Sequence, residues 1–171
     1  MKEYKSLTEL IPEMEPDEIF YKRIFLEYPE AHLDQAHTVE EIEKLCPEAS
    51  SHAAAGFTYH PGNALDETIL PSDEDTIIFR HNRYSPAFLH SHTFFEMICE
   101  NIFTSHTISM QAGDICIVAP SIIHALSAFS DDCVIYNFLI KSQTFEAVFL
   151  NSLPKYGTLH DFFSRALYSP G

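Results

Sequence analysis

Between Asp75 and Ile140 the chain is built from short apolar or alternating runs set between turn residues, and this texture constrains the fold more than anything else in it. The runs are TIIFRH (76–81), AFLHSHTFFEMIC (87–99), IFTSHTISM (102–110), ICIVA (115–119), ALSAF (125–129) and CVIYNFLI (133–140). Ser85-Pro86, Glu100-Asn101, Gln111-Ala-Gly-Asp114 and Ser130-Asp-Asp132 punctuate them. Strands this short, at such regular intervals, predict an antiparallel sandwich or small barrel over 75–141. The fold class expected is mainly β, with 102–110 returning as the hairpin partner of 87–99.

The flanks read as helix. Residues 1–50 form a helical arm. Asp17 is placed to cap a stripe of Phe20, Tyr21, Ile24, Phe25 and Tyr28, which Pro29 stops. Thr38-Val-Glu-Glu41 has the form of a capping box; Val39, Ile42 and Leu45 follow on one face, and Pro47 ends that helix. Residues 51–74 hold Gly, Pro, Ser and Asn and read as a linker. The tail, 142–171, carries two more helices, with Ser142 and Thr158 as caps. Phe145, Val148 and Phe149 share a face of the first, and Leu159, Phe162, Phe163, Ala166 and Leu167 line the second. These helices pack on the sheet or on a dimer partner.

Charge excludes one class of function. The chain has a formal net charge of −15, with 10 basic residues against 25 acidic ones. A surface that grips phosphates needs the opposite balance, so direct DNA or RNA binding by this piece is not expected. No apolar run reaches the length of a membrane span, and the acidic N-terminus lacks the apolar core of a signal peptide, so a cytoplasmic location is expected. Cys46, Cys99, Cys116 and Cys133 form no CxxC pair, and a reducing compartment would keep them as free thiols.

The chemistry concentrates between His90 and His124. On a strand, His90, His92, Phe94, Glu96 and Ile98 share one face, because side chains two residues apart do so. Two imidazoles and a carboxylate then stand in a row on an otherwise apolar surface. A carboxylate buried among Phe and Ile needs a partner: a divalent metal, a polar ligand or the histidines themselves. His90, His92, Glu96 and, from another strand, His124 could ligate iron, manganese, nickel or zinc with coordination positions left open. Arg83 is a candidate partner for a ligand carboxylate, with an ordinary surface salt bridge as the alternative. Tyr136 and Asn137 alternate on a late strand, so one of them faces inward, and Tyr136 joins the ligand-binding set. His106 is expected to face away from Glu96. Asp114 caps the turn at Gly113.

The HxHxxxE run and the G…P…H run ending at His124 resemble the two motifs of the cupin β-barrels. The match is partial. Tyr84 and Phe103 stand where enzymatic cupins place glycine, Pro120 falls one residue late, and Ser121 replaces a second glycine. The fuller likeness is to the cupin-like N-terminal sensing domains of AraC-type bacterial transcription regulators. It runs through IIFRHNRYSPAFLHSHTFFEM, MQAGDICIVAPSIIHALSAFSDDCVIYNFLI and TFEAVF, over residues 77–168. The resemblance implies a double-stranded β-helix barrel that binds a small-molecule effector and forms a homodimer. It also implies DNA binding only through a helix-turn-helix domain that this chain lacks, and hence a truncated product or a chain cut before that half. The stretch from Glu96 to Gly113 is shorter than the family's usual hairpin. A small metal-dependent cupin enzyme, an isomerase or dioxygenase, is the competing expectation, and a fragment that binds nothing is a third.

Overall fold

The computed structural model of the chain describes residues 12–54, 64–65, 70–71, 73–99, 110 and 113–168, the side chains of 52–54, 64–65 and 99 excepted. Its strands are β1 (Ala64–Leu65), β2 (Thr76–Arg80), β3 (Ser91–His92), β4 (Phe95–Cys99), β5 (Ile115–Val118) and β6 (Tyr136–Ile140). Four of them form an antiparallel sheet in the order β2-β6-β4-β5. β1 and β3 form a separate two-stranded parallel pair. The helices are α1 (Pro16–Glu27), α2 (Val39–Leu45), α3 (Pro47–Ala54), α4 (Ser142–Val148) and α5 (Thr158–Tyr168).

The antiparallel sheet matches the alternation in the sequence, but the described strands do not close into a barrel. β2 and β5 remain its edges, and helices contribute as much to the fold as strands do. The expectation of a mainly β closed barrel is therefore corrected to a helix-and-sheet protein. The run 87–99 shows the cause. It breaks at Thr93 and Phe94, whose carbonyls are taken by side chains: Ser142 Oγ donates to Thr93 O at 3.1 Å, and His92 Nδ1 to Phe94 O at 2.7 Å. Side-chain donors of this kind compete with the ladder. The run 125–129 stays out of the sheet because it bonds to other segments. Its Ala128 carbonyl accepts from Tyr84 N, and Ser127 Oγ donates to Asp34 O. Residues 102–109 of the expected partner strand, with His106 and Phe103, lie outside the described residues.

The sheet has two covered faces. Ile98 and Val118 pack beneath Leu126, Ala128, Cys133 and Ile135 on the inner face. On the outer face Phe95 and Ile140 lie under Phe145, Leu150 and Phe163, with Phe95 and Phe145 stacked at 3.7 Å between ring centroids. Burial of aromatics on this scale supplies most of the drive to dock α4 and α5. The α5 stripe is only half used: Phe163 is buried, whereas Leu159 is 60% and Phe162 54% exposed.

α1 begins one residue before Asp17, so Glu15 rather than the expected Asp17 holds the N-cap position, with Pro16 in the first turn and Glu15 N donating to Glu18 Oε2. The capping box of α2 forms as the sequence indicates: Glu41 N donates to Thr38 Oγ1, and Thr38 N to Glu41 Oε2. Pro47 both ends α2 and opens α3, so the expected linker begins inside a helix. Ile24, Leu33, Cys46 and Ala49 close this subdomain, and Phe129 joins it to the sheet layer. Cys46, Cys116 and Cys133 are free thiols. No described helix is long and apolar enough to cross a membrane.

Candidate metal and ligand site

Three backbone features bring the site together. Pleating puts Phe94, Glu96 and Ile98 on the inner face, where Glu96 lies between Leu139 of β6 and Val118 of β5. His90 and His124 exchange both backbone hydrogen bonds at 2.9 Å, which sets their rings side by side at 4.2 Å. His92, 1% exposed, stacks on Phe94 at 4.4 Å and 10°.

Each of these histidines presents Nδ1 to a backbone carbonyl: His90 to Phe88 O at 3.2 Å, His92 to Phe94 O at 2.7 Å, His124 to Ile122 O at 3.0 Å. A carbonyl only accepts, so each Nδ1 carries a proton. Nε2 is then the nitrogen left to meet the centre. His124 Nε2 lies 3.0 Å and His92 Nε2 3.2 Å from the same oxygen of Glu96. Two such contacts on one carboxylate oxygen need either second protons on the rings or a cation among them. His90, Glu96 and His124 each offer a ligand atom within 4.8 Å of the others. A backbone carbonyl fixing the far nitrogen is the usual support of a metal-bound imidazole. The donor set therefore fits a divalent transition ion. His92 stands beside this trio, with its Nε2 against the same Glu96 oxygen.

Electrostatics agree with the geometry. Burial would raise the Glu96 carboxyl, but hydrogen bonds from His124 and His92 outweigh it and hold it well below the ordinary carboxylate range. Burial, helped by neighbouring His124, pushes His90 down to about 3, so its ring is neutral and able to ligate. Burial also lowers His81 to about 4, against the pull of Glu96 and Glu18. The Cys116 thiol is pushed up, by burial first and then by Glu96.

Two other expected site residues are placed elsewhere. Arg83 is 2% exposed and committed to structure. Its Nε and NH2 grip the two oxygens of fully buried Glu18 at 3.0 and 2.9 Å, while NH1 donates to Asp131 O and NH2 to Pro12 O. The pairing is a salt bridge, as the alternative reading had it, but a buried one. Tyr136 is 44% exposed and lies on the outer face, because it pairs with Arg80 and with Cys99, an odd number of residues along β4 from Glu96. Asn137 takes the inward position instead, 3% exposed, with Oδ1 lacking a hydrogen-bond partner. Alternation had left the choice between Tyr136 and Asn137 open, and the β4–β6 register decides it. Glu18 escaped notice in the sequence, although it lies three residues before Tyr21 on the buried stripe of α1. No protein-family model and no curated protein matches the chain.

Proposed function

We propose that this chain is an effector-sensing and dimerisation domain of the AraC type, whose recognition centre is a divalent metal ion held by His90, Glu96 and His124. The observation that carries the metal centre is the convergence of carbonyl-anchored imidazoles on one buried carboxylate oxygen. The sensing role rests on the sequence resemblance. His90 and His124 supply neutral nitrogens, Glu96 supplies the charge, and His92 orients Glu96. A metal bound there acts as a Lewis acid toward an oxygen ligand. Leu139, Val118 and Phe94 keep water from the carboxylate. The incompletely buried apolar stripe of α5, with Leu159, Phe162 and Tyr168 exposed, serves as the dimer surface in this reading.

Elemental analysis of the purified chain tests the centre. About one equivalent of iron, manganese, nickel or zinc is expected, falling to background in a His90→Ala/His124→Ala variant. Metal-free wild-type protein that also fails to take up added manganese or nickel would reject it. A second reading, a metal-dependent isomerase or dioxygenase, draws on the same trio, since three protein ligands leave coordination positions for a substrate. Turnover of a ligand by the metal-loaded chain, rather than reversible binding, would favour it.

A further inference from the structure

Asn137 occupies a position where a sheet normally carries an apolar residue. It is the second residue of β6, paired with Phe79 of β2 and Ile98 of β4, and Leu139 follows it on the same face. None of these side chains can donate a hydrogen bond. Asn137 is nonetheless 3% exposed, and its Oδ1 is the one buried side-chain polar atom among the described residues without a partner. An unmade hydrogen bond in a dry place costs more than a made one returns. A polar group kept there at such cost points to something that completes it.

Register places that something beside the metal trio. Glu96 pairs with Leu139 and Ile98 with Asn137, so Glu96 and Asn137 are diagonal neighbours on one face. Diagonal neighbours are separated by about 7–8 Å at the backbone, so a molecule of a few heavy atoms held at the metal would come within reach of Asn137. Charge narrows the chemistry. A divalent ion with one carboxylate and neutral ligating imidazoles leaves positive charge in excess, and burial favours its neutralisation by an anion. At the Asn137 end the partner is a hydroxyl, which can donate to the amide oxygen or, with the amide turned over, accept from its nitrogen. An ammonium group would be repelled by the metal.

Resting on the metal centre proposed above, we infer that Asn137 selects the ligand, and that the ligand is a short hydroxy acid whose carboxylate meets the metal and whose hydroxyl meets Asn137. The test is titration calorimetry on the manganese-loaded full chain with 3-hydroxypropanoate and with propanoate, which differ by the hydroxyl alone. Wild type is expected to bind the hydroxy acid about tenfold more tightly, the worth of one hydrogen bond to a buried acceptor. In Asn137→Leu the two acids should bind alike. Equal affinities in metal-loaded wild type overturn the inference while leaving the metal centre standing, and so does a preference that survives in Asn137→Leu. If the variant does not fold, the wild-type comparison alone decides. A chain that takes up no manganese fails earlier, in the elemental analysis, and removes the centre and the inference together.

Discussion

At the scale of single residues, the imidazole of half-buried His81 contributes to the acid response. His81 has a folded-state pKa lowered from 6.5 to about 4, so the unfolded chain takes up its proton first as pH falls. Stability from this ring is fully present above pH 6.5 and is lost between 6.5 and about 4. Because the ring is partly exposed, the loss should be about 1–2 kcal/mol. Urea melts at pH 7.5 and 4.5 measure it, and His81→Gln should narrow the difference; an unchanged difference would assign the acid response elsewhere. Backbone conformation offers a second test. Ser121 is exposed with φ +68°, a left-handed conformation that glycine adopts without strain. Ser121→Gly should stabilise the chain by about 0.5–1 kcal/mol, visible as a higher melting temperature. Tyr84 has φ +63°, a second left-handed position held by a residue other than glycine. Neither left-handed position is legible from residue type, because Ser and Tyr ordinarily avoid that conformation and only the surrounding structure holds them in it.

At the scale of elements, α1 is tied to the sheet by charge as much as by apolar packing. Glu18 accepts from Arg83 through two side-chain contacts and the backbone N–H, and from Arg80 at 3.0 Å. Removing one member of a buried pair leaves the other charge unpaired, a cost of about 3–5 kcal/mol. Glu18→Ala should lose that much in denaturant unfolding. Glu18→Leu/Arg83→Met should recover a good part of it, since the apolar pair strands less charge, and a double variant no better than the single would contradict this account. The sequence showed the stripe of α1 but not the salt bridge, because the partners are 65 residues apart and only docking brings them together. The half-used stripe of α5 has a similar origin. Spacing marks Leu159, Phe162 and Phe163 as one family of positions, yet the sheet reaches Phe163 alone of the three deeply enough to bury it.

At the scale of the whole molecule, the proposed dimer gives the remaining test. Light scattering after size exclusion at tens of micromolar should report twice the 19.5 kDa chain mass, and Leu159→Glu/Phe162→Glu should return it to monomer. A wild-type monomer would leave α5 without its proposed role. Sequence alone determined the alternating strands, the α2 cap and the helical tail, since each depends on residues within a few positions of one another; it named His90, Glu96 and His124 as candidate ligands together with His92, which stands beside the trio. The open sheet, the inward turn of Asn137 in place of Tyr136, the withdrawal of Arg83 into a salt bridge and the meeting of His90 with His124 were decided only by tertiary structure. These depend on strand register and on which carbonyls the side chains capture, and both are settled by contacts between segments far apart in the chain.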